Sequence, residues 1–374
     1  MDEKRGTDVL VIGGGGVGCA IVYYLRKARR DVTLLERGEI GSEASGAAAG
    51  LLAPLGPLSG PGAFADLVLA GFSTLVALLP ELEESSGIHV GYEQTGALRI
   101  VRNPRRIAHL QKRRASWEPL GLQLYWLNGE EARQREPLLD ADTCAAVYAP
   151  EESQIHAAAL VQAFARAAER AGARIYQHRE VSHFSLKETK VAAAHTTRGE
   201  TFTCNTLIIA SGAWAAQFGA MLRIDLPIQP LHGQLIAFPQ TSPPLRHIVF
   251  GEAAYLLPRG DSILVGATKE ERGFDRTVTE SGSSWLAGTA ARLIPALAGS
   301  KIQAAWAGLR PGTPDSHPIL GVLPLWENVL LAAGHNSVGI LLSALTGQCI
   351  TELLTTGSAP PLIQPFSVKR FSSM

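Results

Sequence analysis

The first thirty-six residues carry the pattern that most limits the fold of this chain. Residues 8–12 form a short apolar run that predicts a β-strand, and the strand leads directly into a glycine-rich turn at residues 13–18. An apolar segment at residues 19–25 predicts a helix. Residues 32–35 predict a second strand, which ends at Glu36. This order of strand, turn, helix and strand is typical of a parallel α/β unit.

Three glycines of the turn fit the G-x-G-x-x-G pattern. Gly13 permits a tight turn, Gly15 the close approach of a pyrophosphate, and Gly18 the packing of the helix on the strand. The N-terminus of the helix then faces the phosphates. Glu36, eighteen residues past Gly18, is placed to accept hydrogen bonds from an adenosine ribose. Four glycines in a row are also typical of a flexible loop, but the ordered elements around them favour nucleotide binding.

The composition points to a soluble globular protein. A length of 374 residues with 46% apolar residues suggests about two domains with a substantial core. Lys plus Arg equals Asp plus Glu at 34 each, and the absence of a basic block argues against a nucleic-acid partner. The four cysteines are far apart and form no C-x-x-C, which indicates a reducing compartment. The ten histidines show no metal-ligand spacing.

The sequence also predicts no membrane segment and no N-terminal targeting signal. The nucleotide strand begins at residue 8, so removal of an N-terminal signal would destroy the first element of the fold. The most apolar later run, residues 67–79, is about 13 residues long and is too short to span a bilayer. We therefore expect a cytoplasmic protein without a membrane segment, and the sequence leaves open whether it forms a homo-oligomer.

The segment after Glu36 is rich in small residues. Residues 41–52 would let backbone N–H groups approach a ligand closely, although a plain linker has the same composition. Apolar residues at helical spacing predict an amphipathic helix over residues 62–85.

The rest of the chain alternates short strands with helical stretches. We predict strands at 96–101, 173–176, 191–196 and 206–214, the last ending in small residues, and helices at 103–118 and 157–171. Residues 234–238, 254–257 and 262–266, with a turn at 258–261, form an antiparallel hairpin signature. A buried strand at 328–333 precedes a glycine-rich turn and an apolar helix from residue 340.

The predicted fold class is therefore α/β with two interwoven parts. A Rossmann-like, discontinuous nucleotide-binding domain is built from residues 1–90, 146–222 and 308–374. An antiparallel-sheet domain of the α+β type is built from residues 91–145 and 223–307.

Six short segments, taken in their order along the chain, carry a resemblance to a known family. They are residues 12–15 with Glu36, residues 47–52, residues 210–214, residues 265–268, residues 306–313 (Trp-Ala-Gly-Leu-Arg-Pro-Gly-Thr), and residues 333–342. The chain resembles the D-amino acid oxidase superfamily over nearly its whole length, and most closely the glycine oxidases of thiamine biosynthesis.

The resemblance implies FAD as cofactor and a substrate domain whose sheet covers the flavin ring. The implied partners are a small amino acid and oxygen, and the implied reaction is oxidation of an α-amine to an imine with release of hydrogen peroxide. The imine then hydrolyses to a 2-oxo acid and ammonia or amine. The cofactor supplies the difficult chemistry, so no acid–base residue is required, and the protein has to aim the α C–H bond at the flavin.

The resemblance also implies roles for two residues in the substrate domain. Arg310 would bind the substrate carboxylate bidentately through its guanidinium, and Tyr255 would contribute a hydroxyl group to the substrate site. The alternative interpretations are a solvent-exposed loop arginine and a tyrosine that only packs in a sheet.

Contacts to FAD are implied for residues in several segments. They are Gly13, Gly14, Gly15, Val17, Gly18, Glu36, Arg37, Ser45, Ala48, Ala49, Gly50, Leu51, Val181, Ser211, Gly212, Trp214, Gly334, His335, Asn336, Ser337, Val338, Gly339 and Ile340. The helix that starts near Gly339 would point its N-terminus at the pyrimidine edge of the flavin. Related sarcosine oxidases tether FAD through a Cys near the counterpart of Gly308 and Leu309. No Cys lies there, so non-covalent FAD is expected.

The chain departs from the glycine oxidase pattern at three positions. Ser337 stands where an Arg is usual, Lys269 where an apolar residue is usual, and His232 where a Lys or Arg is usual. If Ser337 lines the pocket, glycine as the preferred substrate is in doubt. Lys269 either points to solvent or places a cation at the mouth of the site, where it would favour acidic substrates.

Three other functions remain compatible with parts of the sequence. A flavin-dependent D-amino acid dehydrogenase that passes electrons to a quinone is the nearest rival. An NAD(P)-dependent dehydrogenase would share only the first thirty-six residues. A flavoprotein without catalysis would not need Arg310 and Tyr255.

Overall fold

A computed structural model describes residues 4–371, and the ends of the predicted domain ranges, residues 1–3 and 372–374, lie outside the described residues. The α-helices are α1 (Gly16–Lys27), α2 (Ala44–Ala47), α3 (Ala63–Ser86), α4 (Ile107–Trp117), α5 (Gly129–Arg135), α6 (Ala157–Arg170), α7 (Ala215–Met221), α8 (Glu280–Leu293) and α9 (Gly339–Thr356). The strands are β1 (Lys4–Ile12), β2 (Val32–Leu35), β3 (Leu51–Leu52), β4 (Ala97–Val101), β5 (Tyr125–Asn128), β6 (Ala145–Ala149), β7 (Ser153–Gln154), β8 (Arg174–Tyr176), β9 (Val181–Lys187), β10 (Lys190–Thr196), β11 (Thr201–Ile209), β12 (Gln229–Pro239), β13 (Ile248–Phe250), β14 (Tyr255–Arg259), β15 (Ser262–Gly266), β16 (Ala304–Gly312), β17 (Ile319–Val322) and β18 (Val329–Ala333).

The first sheet is built around the strand that precedes the glycine-rich turn. Its main order is β17-β18-β11-β1-β2-β8, and β10 and β9 extend from the first half of β11. β1 lies between β2 and β11 and is parallel to both, so that Ile12 pairs with Leu35 and Ile209. β8 and β18 continue the parallel core, whereas β17 pairs antiparallel with β18. The carboxyl ends of five parallel strands therefore meet at one edge, which confirms the Rossmann-like prediction.

Alternate side chains of β1 enter two different hydrophobic clusters. Val9 and Val11 pack with residues of α1, α3, α6 and α9, whereas Leu10 and Ile12 pack with β9, β10 and α7. This is the period of two expected of a strand that is buried on both faces. The sheet is thus covered on both sides, and its free surface at the carboxyl edge is where a ligand can enter.

Helix α3 corrects one expectation from the sequence. The apolar run at residues 67–79 is part of a 24-residue helix that by length and composition alone could cross a membrane. The expectation that the run is too short is therefore wrong, because the helix extends beyond the run at both ends. Leu67, Leu75 and Leu82 are buried in the core that α3 shares with α6 and α9, which accounts for the apolar composition.

The second sheet has the order β16-β12-β15-β14-β13-β4-β6-β5 and is antiparallel except for the pair β4 and β13. The predicted hairpin is formed by β14 and β15. Arg259 pairs with Ser262, so the turn contains only Gly260 and Asp261 and is tighter than the predicted turn at residues 258–261.

Two of the predicted domain limits fall inside strands of the second sheet. β6 pairs with β4 and β5, and all of β16 pairs with β12. Residues 146–149 and 308–312 therefore belong with the second sheet and not with the nucleotide-binding part. Short apolar strands look alike in sequence, and only the hydrogen-bonded partner shows to which sheet a strand belongs.

Candidate functional site

A cleft lies between the carboxyl edge of the first sheet and one face of the second. Most of the predicted FAD contacts line it: Gly13, Gly15, Val17, Glu36, Arg37, Ser45, Ala48, Ala49, Gly50, Leu51, Val181, Ser211, Gly212, Trp214, His335, Asn336, Ser337, Gly339 and Ile340. Arg310 and Tyr255 line it from the second sheet. The structure thus brings together residues that are up to about three hundred positions apart in the chain.

Five predicted site residues lie outside the lining: Gly14, Gly18, Gly334, Val338 and Lys269. The first four support residues that do line the cleft; for example, the Gly14 N–H donates to Glu36. Lys269 is exposed on the segment that follows β15. The structure therefore places the exposed side chain of Lys269 outside the lining of the cleft, whereas Ser337 lines it.

The glycine-rich turn is closed by a contact that only glycine permits. Gly13 has a φ of 110°, and a Cβ at Gly18 would lie 1.9 Å from the carbonyl oxygen of Gly13. α1 begins at Gly16, and its N-cap, Gly15, supplies no side-chain hydrogen bond. The N–H of Gly16 is bonded to Ser45 Oγ. The other N–H groups of the first turn have no partner within the helix, so they can bind phosphate oxygens.

The carboxylate of Glu36 is held in place at the end of β2. Its Oε2 accepts a hydrogen bond from the N–H of Gly14 (2.6 Å), and its Oε1 accepts one from the N–H of Gly38 (2.7 Å). Because both bonds come from the backbone, the carboxylate has a fixed orientation in the cleft. Oxygen lone pairs remain on it for the hydroxyl groups of a ribose.

Residues 44–51 of the small-residue segment form the middle of one wall of the cleft, which we call the cofactor wall. This segment is held from both sides. Gly50 has a φ of 80°, and a Cβ there would lie 1.8 Å from the carbonyl oxygen of Ile155. From the second sheet, Arg259 donates to the carbonyl oxygen of Ala49 at 2.7 Å. The segment is therefore a fitted part of the site, which favours close ligand approach over the linker interpretation.

The turn before α9 completes the wall. The ring of His335 is buried, and its Nε2 lies 3.1 Å from Thr346 Oγ1. Burial lowers the pKa of His335 to about 4, so the ring is neutral at pH 7. Gly339 and Ile340, at the start of α9, face the cleft. The positive end of the α9 dipole is therefore a source of positive potential at this point that does not depend on histidine charge.

Arg310 and Tyr255 lie on the cleft face of the second sheet. Arg310 Nη1 donates to the carbonyl oxygen of Thr268 at 3.1 Å, and within residues 4–371 no carboxylate is paired with the guanidinium. Burial lowers the pKa of Arg310 and raises that of Tyr255 to about 12. Arg310 nevertheless remains a cation and Tyr255 a neutral phenol at pH 7. The pair offers one unpaired positive charge and one hydroxyl to a ligand.

Several lining residues escaped the sequence analysis. They include Gly16, Arg179, Glu180, Gln217, Phe218, Met221, Gly233, Leu235 and Gly308. For Gly233, Leu235 and Gly308 the alternation along two paired strands was the available signal, because every second residue faces the cleft. The others come from loops and helix ends, where no periodic pattern exists.

A cluster of charged and aromatic side chains closes one side of the cleft. The guanidinium carbon of Arg37 lies 3.6 Å from the ring centroid of Trp214, and Arg37 is ion-paired with Glu43. Glu43 also accepts from Arg276 at 2.9 Å, and Phe274 packs on Trp214 with 5.4 Å between ring centroids. The segment after β15 is thereby tied to the cofactor wall.

The residues of the cleft fit an FAD molecule. The glycine turn and the uncapped start of α1 suit a pyrophosphate, and Glu36 suits a ribose. The small-residue segment and the start of α9 line the rest of the cleft. Within the described residues no cluster of His, Cys, Asp and Glu suits a metal ion.

Comparisons with known proteins agree with this geometry. A family model described as "FAD dependent oxidoreductase" (DAO) matches residues 8–353. The glycine oxidase of Geobacillus kaustophilus is 36% identical over 366 residues, which cover 97% of each chain. A crystal structure of glycine oxidase from Geobacillus kaustophilus has a TM-score of 0.93 at 34% identity and covers 98% of this chain and 99% of its own.

A second kind of relative is longer than this chain. The "Bifunctional protein ThiO/ThiG" of Synechocystis sp. is 34% identical over 98% of this chain but over only 54% of its own length. The chain is thus similar to about half of that protein. These matches establish an enzyme that uses FAD and acts on CH–NH donors. The chain belongs to the DAO family of FAD-dependent oxidoreductases.

Proposed function

We propose that this enzyme oxidises the amine of a small α-amino acid and passes the electrons to oxygen. The substrates are glycine, sarcosine or small D-amino acids, and the products are an imine and hydrogen peroxide. The imine hydrolyses to the 2-oxo acid and ammonia or amine. The 36% identical relative named glycine oxidase supports this substrate class.

The observation that carries the proposal is the state of Arg310 in the cleft. Its guanidinium has a single hydrogen bond to the protein, to the carbonyl oxygen of Thr268, and no acidic partner among residues 4–371. A partly desolvated cation without a counterion is suited to an anionic ligand, and a planar guanidinium matches a carboxylate bidentately. An amino acid brings such a carboxylate, whereas a simple amine does not.

The residues of the second sheet orient the substrate for the reaction. FAD, when bound, supplies the acceptor for the α-hydrogen and its electrons. Arg310 binds the substrate carboxylate, and the hydroxyl of Tyr255, which stays protonated because its pKa is about 12, donates to the same group. Two contacts on one carboxylate fix its position and direct the Cα–H bond across the cleft. The start of α9 stabilises negative charge that develops on the opposite wall.

A substrate panel with two readouts tests the proposal. Purified enzyme is incubated with glycine, sarcosine, small D-amino acids, D-Asp and L-amino acids, and peroxide is measured alongside reduction of an artificial dye. We expect peroxide from glycine, sarcosine or small D-amino acids and none from most L-amino acids. Turnover with the dye or a quinone but not with oxygen would identify the dehydrogenase instead.

The state of the cofactor and the cellular role are part of the same proposal. Residues 306–311 contain no Cys, so FAD is held non-covalently and should be released as free yellow flavin by acid precipitation. The similarity to a protein named ThiO/ThiG supports a role in thiamine biosynthesis, and the widely spaced cysteines support a cytoplasmic location. Flavin colour that stays in the acid pellet would contradict non-covalent binding.

A further inference from the structure

The guanidinium of Arg310 occupies the place that a side chain at position 233 would take. In β12, Gly233 and Leu235 line the cleft, while Gln234 points to the other side and donates to Thr279 and Ser283. A Cβ built on Gly233 would lie 2.1 Å from Nη1, 2.4 Å from Cζ and 2.5 Å from Nη2 of Arg310. The guanidinium group therefore rests directly on the backbone of a glycine.

We propose that Gly233 is a positioning residue for substrate binding. Because glycine has no side chain, the guanidinium of Arg310 packs directly against the backbone of β12, and this contact fixes the place where its charge meets a carboxylate. The inference rests on the proposed function, which gives Arg310 its ligand. It assigns a role to β12, the strand that pairs with the strand of Arg310.

The path of the Arg310 side chain supports this role of Gly233. The backbone partner of Arg310 across the strands is Leu231, so the side chain must turn along β12 to reach Gly233. Its Nη1 then meets the carbonyl oxygen of Thr268. Thr268 is itself fixed to β12, because its N–H donates to the carbonyl oxygen of Gln234 and its Oγ1 accepts from the N–H of Gln234 at 2.9 Å. The guanidinium is therefore held between Gly233 of β12 and Thr268, which is hydrogen-bonded to β12.

An alanine at position 233 would disturb the guanidinium and leave the sheet intact. The three atoms nearest to the added Cβ all belong to the end of the Arg310 side chain, which can move without moving the backbone. Ordinary contact distances begin near 3.4 Å, so Nη1 would have to move by more than about 1 Å. A displacement of that size at a group that aims a substrate costs up to about 10²-fold in rate.

The test compares carboxylate binding in Gly233→Ala and in a matched control. The probe is propionate, a carboxylate without an amine, titrated into the FAD-loaded enzyme and followed by the change in flavin absorbance. The control is Gly251→Ala, where the Cβ would likewise meet the end of a flexible side chain, Leu293, at 2.8 Å. We expect the Kd of propionate to rise about tenfold or more in Gly233→Ala only. FAD content and Tm should stay at the wild-type values.

A double-mutant cycle shows whether the effect passes through Arg310. In an Arg310→Lys background, the smaller ammonium head leaves room for the Cβ at position 233. We expect Gly233→Ala to change the Kd of propionate by less than about twofold there, because the two substitutions are coupled. An equal effect of Gly233→Ala in both backgrounds would show that Gly233 does not act through Arg310 and would overturn the proposal.

The failure of this inference can be told apart from the failure of the proposed function. If the wild-type enzyme oxidises no amine, the proposed function is wrong, and the propionate titrations still decide the role of Gly233. If the wild-type enzyme binds no propionate, or if Gly233→Ala binds it normally, the role of Gly233 is wrong even when oxidase activity is present. In an active enzyme, Gly233→Ala should raise KM for the amino acid more than it lowers kcat.

Discussion

The indole Nε1 of Trp306 donates a 3.0 Å hydrogen bond to the carbonyl oxygen of Ala47, and this bond joins the substrate sheet to the cofactor wall. Two positions further along β16, a Cβ at Gly308 would lie 2.6 Å from that of Ala47. The strand and the small-residue segment are therefore in close contact. Since Ala47 and Ala48 line the cleft, the second sheet helps to shape the site that holds FAD.

Removal of that hydrogen bond should weaken FAD binding. Trp306→Phe keeps an aromatic ring but leaves the Ala47 carbonyl oxygen without its donor, at a cost of about 1 kcal/mol. We expect the Kd of FAD to rise roughly fivefold, measured by flavin fluorescence. Trp285→Phe, at an exposed position of α8, serves as control and should leave the Kd unchanged. Equal Kd values in both variants would show that the bond does not support the cofactor wall.

The glycine-rich turn should not accept even one methyl group at Gly18. The Cβ of Gly18→Ala would lie 1.9 Å from a backbone oxygen, so the turn and α1 would have to separate. We expect a protein with strongly reduced FAD content, measured as bound flavin per chain after purification. Gly6→Ala in β1, whose Cβ would meet Thr203 at an ordinary 3.5 Å, should keep the full content. A yellow Gly18→Ala protein would contradict this account of the turn.

Arg310 should carry most of the selectivity for amino acids over simple amines. Loss of a buried ionic partner typically costs about 3–5 kcal/mol, so Arg310→Ala should lower kcat/KM by about 10²–10³-fold. Arg310→Lys should recover only part, because an ammonium cannot make the planar two-pronged contact. The measurement compares an α-amino acid with its decarboxylated amine. Equal losses on both, or normal kinetics in Arg310→Ala, would show that the guanidinium binds no carboxylate. FAD content should stay near the wild-type value.

The two unusual residues of the chain should have different effects on substrate choice. Ser337 lines the cleft, whereas Lys269 is exposed outside it. Ser337→Arg should therefore change the relative kcat/KM values across the substrate panel, and Lys269→Met should leave them unchanged. A changed profile in Lys269→Met would mean that the segment after β15 moves toward the cleft when substrate binds.

His335 should make stability depend on pH below neutrality. Its pKa is lowered to about 4 in the folded protein, against an ordinary value of 6.5, so between these values the unfolded state binds a proton that the folded state does not. Above pH 6.5 the ring is neutral in both states and does not lower the free energy of unfolding. As the pH falls from 6.5 toward 4, protonation of the unfolded state lowers the free energy of unfolding by up to about 3 kcal/mol. His335→Gln should lose less free energy of unfolding than wild type between pH 7 and pH 5. Parallel losses in both proteins would exclude the ring as the source.

The nucleotide-binding unit could be predicted almost completely from the sequence. The strand at residues 8–12, the turn, α1 and the end of β2 at Glu36 are consecutive in the chain, and their pattern depends on local geometry. The α3 and α6 helices and the β14–β15 hairpin were likewise predicted within a few residues. In each of these cases the periodicity of the residues themselves contains the information.

The sequence by itself determined the nucleotide turn with the elements around it, the long helices α3 and α6, the β14–β15 hairpin and, through family resemblance, the cofactor and the residues that could bind a substrate. Only the tertiary structure decided that β6 and the whole of β16 belong to the second sheet, that Lys269 lies outside the cleft, and that Gly233 lies under the Arg310 guanidinium. The physical reason is that strand pairing and side-chain direction depend on residues far away in the chain. A local pattern cannot specify such contacts, because they exist only once distant strands have paired.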